Sequence, residues 1–184
     1  KIHNPNENGE GEILIKSPTL MLGYYEDEAK TKEVIDEEGY FNSGDVGYIN
    51  EDGFIFITGR SKNVIVTQNG KNIYPEEIEK LLEDVQEIKE VMVYGKAPEG
   101  DMAKKKDAKE LIITAKVFPN FEKIKEIHGD ISEEEIYNII WEQIKQINKQ
   151  LTSYKAIKSL EIKKEAFEKT STMKIKRYKE ISKK

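Results

Sequence analysis

The spacing of apolar residues changes its period twice along this chain. Residues 11–17 (GEILIKS) alternate apolar with polar and predict a strand, which Pro18 ends. Residues 26–36 are charged and predict a helix leading into a turn at Glu38-Gly39. From Asp45 the alternation resumes through Val46 and Tyr48, turns at Asn50-Glu51-Asp52-Gly53 and returns as Phe54-Ile55-Phe56-Ile57. Asp-Gly between two β-rich runs is a strong hairpin signal. Up to about Gly59 there are only short strands and turns, with too little apolar material for an independent core.

Beyond residue 60 helical periods appear. Residues 63–66 predict a strand and residues 68–71 a turn. A helix follows, with Pro75 at its first position and Glu76 and Glu77 in the first turn, all favourable there. Ile78, Leu81, Leu82 and Val85 line its apolar face. Residues 88–94 and 111–118 read as two strands of one sheet. The polar stretch 95–110, with Lys104, Lys105 and Lys106, is expected to be a mobile loop whose lysines are solvated. A longer helix starts at Ser132, whose spacing to Glu135 is that of a capping box. Ile136, Ile139, Ile140, Ile144, Ile147 and Leu151 form its stripe, with Trp141 alongside, and the stripe is expected to be core. Residues 159–163 predict a last strand, and a basic tail follows. Strand, helix, strand, strand, helix, strand predicts an α+β domain of about 125 residues, large enough to fold alone.

Composition narrows the chemistry. The 184 residues contain no cysteine, which removes disulfides, thiolate metal sites and cysteine nucleophiles. His3 and His128 are the only imidazoles, too few for a histidine-based triad or zinc centre, and no metal site is assigned. No apolar run reaches membrane-spanning length. A formal charge of −5 argues against a nucleic-acid binder. The chain opens on Lys1 without an initiator methionine and has no signal-peptide core, so we expect a piece of a longer protein. Of thirty Lys and Arg, only Arg60 and Arg177 are arginine. In a lysine-rich chain, arginine marks places that need a planar fork for a phosphate, a carboxylate or a pair of oxygens.

The hairpin brings Asp45, expected where its first strand begins, close to Arg60, expected just after its second strand ends. An acceptor-only carboxylate and a five-donor guanidinium can face one ligand there, or pair with each other at the sheet edge; the residue types allow both.

Several motifs in this order carry a resemblance. They are Gly11-Glu12-Ile13 with Met21-Leu22-Gly23-Tyr24-Tyr25, then Ser43-Gly44-Asp45 and Gly59-Arg60-Ser61-Lys62. Next come residues 69–79 (NGKNIYPEEIE) and residues 169–177 (KTSTMKIKR). Together they resemble the AMP-forming acyl-CoA synthetases of the adenylate-forming superfamily. The resemblance implies a small mixed-sheet α+β C-terminal domain with flanking helices over residues 60–184. It also implies that residues 1–59 are the β-rich end of a large N-terminal domain, here without its partner strands. The function implied is the C-terminal part of an ATP-dependent ligase that activates a fatty acid, of long chain, as acyl-AMP and transfers it to coenzyme A. Alone, the piece is expected to be inactive.

The same resemblance assigns roles. Lys174 is the adenylation lysine, Asp45 binds the ribose hydroxyls of ATP or AMP, and Arg60 contacts ribose or phosphate. Lys62 falls at the hinge about which the C-terminal domain swings between two half-reactions. Gly70 and Lys71, with Asn69, lie in a loop expected to enter the active site for the thioester step. Mg2+ is expected mainly on the absent N-terminal part. Two departures stand out: Met173 occupies a place where the family usually has Gly, and Glu168 one where Pro is common. A positive φ at residue 173 would strain a methionine. The resemblance also implies a cytoplasmic enzyme, with peripheral contact at the inner membrane face left open. Two further readings stay open: an adenylation domain loading an amino or aryl acid onto a carrier protein, and a non-catalytic basic module for nucleic acid or anionic lipid.

Overall fold

A computed structural model of the chain describes residues 1–98 and 111–181. The expected lysine-rich stretch at 104–106 lies outside the described residues. The chain divides into two units, Lys1–Val64 and Ile65–Lys184.

The first unit is a four-stranded antiparallel sheet in sequence order, β1 (Ile2–His3), β2 (Gly11–Ile15), β3 (Phe41–Ile49) and β4 (Ile55–Arg60). The short strand β1 forms because Ile2 and His3 pair with Ile13 and Glu12. Helix α1 (Glu28–Val34) starts at Asp27, whose side chain accepts from the Lys30 amide. β3 begins four residues before the expected Asp45, since Phe41 and Asn42 already pair with Ile15 and Leu14 of β2. The β3–β4 ladder shifts register between Val46 and Gly47. At Gly47 a Cβ would stand 2.1 Å from the Phe56 carbonyl, so no other residue fits that close approach. On β4, Ile55, Phe56 and Ile57 are all exposed, although successive strand residues point to opposite faces.

The second unit carries the α+β arrangement. The expected strand over 63–66 is shorter: Ser61–Asn63 form a 3-10 turn, and only Ile65–Val66 (β5) pair, with Asn72–Ile73 (β6). Helix α2 (Pro75–Glu83) follows. β7 (Ile88–Lys96) and β8 (Ile112–Pro119) are antiparallel, and β9 (Ser159–Ile162) joins β8 in parallel, giving a mixed three-stranded sheet. Gly95 and Lys96, expected in a loop, extend β7 by pairing with Ile113 and Ile112. α4 (Glu133–Asn148) begins with the expected capping box, Ser132 and Glu135 exchanging hydrogen bonds. Sequence periodicity had missed α3 (Phe121–His128), a helix of eight residues capped by Asn120 with only Ile124 buried.

β7 explains the layering. Val91 and Val93 point into the main core with Ile78 and Leu82 of α2, Ile136, Ile140 and Ile144 of α4, and Ile113, Ala115 and Val117 of β8. Met92 and Tyr94 point the other way, into a second cluster with Phe167, packed by Phe118 and Ile175. The sheet is buried on both faces, by helices on one and by the C-terminal segment on the other. That segment had read as a basic tail. It folds because it supplies the apolar cover, Phe167 and Ile175, for the second face.

Candidate active site

The expected site residues fall in both units. In the first, Asp45 and Arg60 are direct cross-strand partners. The Arg60 guanidinium donates to the Asp45 carboxylate at 2.5 Å and to the Ser43 carbonyl at 3.1 Å. Of the two arrangements the residue types allowed, mutual pairing is the one observed. Arg60 is the last residue of β4 and Asp45 lies in the middle of β3, so the ladder itself sets their approach. The Asp45 amide is held by the Ser43 hydroxyl, and the Ser61 hydroxyl donates to the Gly44 carbonyl. The backbone around Asp45 is therefore held by two hydroxyls, while half of the arginine side chain stays exposed. Lys62 lies exposed in the 3-10 turn just before the boundary at Val64.

In the second unit, Gly70 closes the turn between β5 and β6. Its amide donates to the Thr67 carbonyl, and the Thr67 hydroxyl accepts from the Lys71 amide. At φ +73° the position is left-handed, with nothing within 4 Å of where a Cβ would sit. Glycine is needed there for conformation and not for space. The Lys71 ammonium lies 4.6 Å from the centre of the Tyr154 ring.

Lys174 sits on a tight turn of the C-terminal segment. Lys169 bridges Ile175, the Thr170 amide donates to the Lys174 carbonyl, and the Met173 amide donates to the Thr170 carbonyl. The Lys174 amide is in turn held by the Thr170 hydroxyl. Met173 takes φ +62° and is exposed, so the strain foreseen for a non-glycine residue is present.

The cations around Lys174 are all paired. Lys169 meets Glu90 at 2.6 Å, and Lys176 and Lys179 both meet Glu168 at 2.6 Å. Arg177 pairs with Glu79 and donates to the Val93 carbonyl at 3.0 Å. The Lys174 ammonium, by contrast, makes no ion pair or hydrogen bond among the described residues. Hydrogen bonds from Lys176 and Lys179 bring the Glu168 pKa down to about 2, and that carboxylate raises Lys179. Burial raises Glu79 despite the guanidinium beside it.

Arg177 therefore turns its planar fork on a carboxylate and a carbonyl of the chain itself. Sequence reasoning gave no role to Glu79, Glu90 or Glu168, the last noted only as standing where Pro is common in the family. Glu79 had only its place on the α2 face next to Ile78 to mark it, and nothing near Glu90 or Glu168 in sequence pointed to their partners.

A small mixed-sheet domain with an unpaired lysine on a C-terminal turn has the fold of adenylate-forming enzymes. The adenylation domain of a carboxylate reductase from Mycobacterium chelonae matches with TM-score 0.77 at 23% identity, over 92% of this chain and 26% of that one. ATP-bound MatB from Rhodopseudomonas palustris matches with TM-score 0.70 at 22% identity, over 98% and 32%. The chain belongs to the AMP-binding enzyme C-terminal domain family, whose model matches residues 62–183. Sequence relatives are CoA ligases. A probable 4-coumarate–CoA ligase of Dictyostelium discoideum is 47% identical over 92 residues, half of this chain and 16% of that protein. A long-chain-fatty-acid–CoA ligase of Xenopus laevis is 49% identical over 75 residues, 41% of this chain and 10% of that protein. The chain thus spans only a small part of its relatives' length.

Proposed function

We propose that this chain is the C-terminal part of an ATP-dependent, AMP-forming acyl-CoA ligase, and that Lys174 is its adenylation lysine. The observation that carries the reading is the contrast on one turn: four neighbouring cations have carboxylate partners and Lys174 has none. A solvated ammonium costs a fold little, so the weight rests on the contrast with its paired neighbours and on the ordered turn that presents it.

ATP supplies the α-phosphate that an acid's carboxylate attacks, with pyrophosphate leaving. Both reactants are anions, so the protein must hold them together and offset the charge that builds at phosphorus. An ammonium on a flexible stem suits that work. Asp45 fits a ribose: Arg60 occupies one carboxylate oxygen, and the carboxylate retains acceptor capacity for a diol. Mg2+ is, in this reading, bound mainly by the N-terminal part of the longer protein. In this reading Lys62 is the hinge, residues 1–59 end the N-terminal domain, and the Gly70–Lys71 turn serves the CoA step.

The test uses the full-length protein. Lys174→Ala is expected to slow adenylate formation by a hundredfold or more, from a loss of about 3 kcal/mol in transition-state stabilisation. Thioester formation from supplied acyl-adenylate should be spared; equal loss of both half-reactions would remove the assignment. Lys62→Pro should impair mainly one half-reaction, and unchanged kinetics would dismiss the hinge. The acid is assigned as a long-chain fatty acid on the strength of the long-chain ligases among the relatives. The 4-coumarate ligases support an aryl acid as the second reading, and rates with the two acid classes separate them.

A further inference from the structure

Residues 168–176 form a closed neck with Lys174 near its tip. The two sides are joined by the Lys169–Ile175 bridge and by the Lys176 amide, which donates to the Glu168 carbonyl at 2.9 Å. The Glu168 carboxylate crosses that neck. One oxygen accepts from Lys176 and Lys179, each at 2.6 Å, and the other accepts from Lys179 at 2.7 Å. Lys179 belongs to the short helix α5 (Arg177–Ile181), so a single side chain ties the turn to the segment that follows it.

Two effects follow. The ties fix where the turn leaves the domain, and with it the direction in which Lys174 extends. They also engage the two ammonium groups that would otherwise compete with Lys174 for an incoming anion. We propose that Glu168 is a positioning residue for Lys174, holding its turn by the links to Lys176 and Lys179 and leaving Lys174 the one uncompensated ammonium on it. The proposal rests on the reading of Lys174 given above. The low pKa of Glu168 agrees with it, since the carboxylate stays charged throughout the range in which a ligase works.

None of the three side chains is buried, Lys176 being 27% and Glu168 47% exposed, so the pairs add little to global stability and the proper readout is rate. In the full-length protein, Glu168→Gln is expected to lower kcat for adenylate formation about tenfold through misplacement of the lysine. The KM for ATP and the thioester half-reaction should hold within about twofold of wild type. The charge-reversed pair Glu168→Lys with Lys176→Glu restores an ion pair across the neck and should recover most of the loss. In a Lys174→Ala background, Glu168→Gln should cost nothing further, because a positioning residue has nothing left to position.

An undiminished kcat in Glu168→Gln, beside a Lys174→Ala that loses adenylation, overturns the positioning role alone. The same holds if the charge-reversed pair fails to recover, or if the Glu168→Gln loss persists without Lys174. If Lys174→Ala itself leaves adenylation intact, the assignment of Lys174 fails first and this proposal falls with it.

Discussion

Replacing Arg177 by methionine tests how the C-terminal segment is held. Arg177 is four-fifths buried and pairs with Glu79, whose side chain is 11% exposed. Glu79 also accepts from the Val93 amide at 2.5 Å, so its carboxylate joins α2, β7 and the C-terminal segment. Methionine keeps most of the apolar stem but strands a buried carboxylate. Removing one partner of a buried pair costs about 3–5 kcal/mol. The lower end applies here, because the Val93 amide stays in place and the carboxyl can escape by taking a proton. About 3 kcal/mol in a unit of this size lowers Tm by roughly 10 °C.

Trp141, the chain's single tryptophan, packs against the main core and reports the transition by fluorescence. The sign of the pH dependence follows from burial, which raises Glu79 above the ordinary 4.5 in the folded state. A raised carboxyl takes up a proton on folding, so stability is gained as pH falls through its folded value toward 4.5. Without Arg177 that value rises further. The deficit of Arg177→Met relative to wild type should therefore be largest near neutral pH and shrink on acidification. In a Glu79→Gln background the same substitution should cost much less. A loss below about 0.5 kcal/mol, or one that is unchanged by both acid and Glu79→Gln, would refute the coupling.

Two further outcomes concern the Lys174 turn. Met173→Gly removes a left-handed methionine worth about 1–2 kcal/mol of strain and introduces glycine's chain entropy of about 0.5–1 kcal/mol. The net should be a slight stabilisation, read as slower hydrogen exchange of the Met173 and Lys174 amides; faster exchange would contradict the strain. Glu168, held at about 2 against an ordinary 4.5, contributes stability that is present above 4.5 and lost as pH falls through about 2. Amide protection over residues 168–179, taken relative to intrinsic exchange at each pH, should fall between pH 5 and pH 2, and unchanged protection there would count against the Lys176 and Lys179 ties.

What the sequence displayed and what it hid divide along physical lines. The α4 stripe and its capping box were legible because both depend on residues within one or two turns of each other. The hairpin was legible for the same reason. β1 and α5 were hidden because two or five residues carry no period; each exists through what it packs on or pairs with. Arg177 was noticed for its rarity, yet a rare residue type does not reveal whether its fork meets a ligand or the chain's own Glu79, 98 positions away.

Lys174 is the sharper case. With thirty basic residues in 184, an unaided reading had no ground for choosing it, and only the resemblance singled it out. In the fold its distinction is electrostatic. Glu90, Glu168 and Glu79 take up the charge at 169, 176, 177 and 179, and each partner lies either on another element or on the far side of the turn. A cation's availability is set by where the surrounding carboxylates fold to, and local sequence does not encode that. The same logic puts function on the acidic residues: those that neutralise the neighbours of Lys174 are the ones whose removal should alter the rate without touching the reactants.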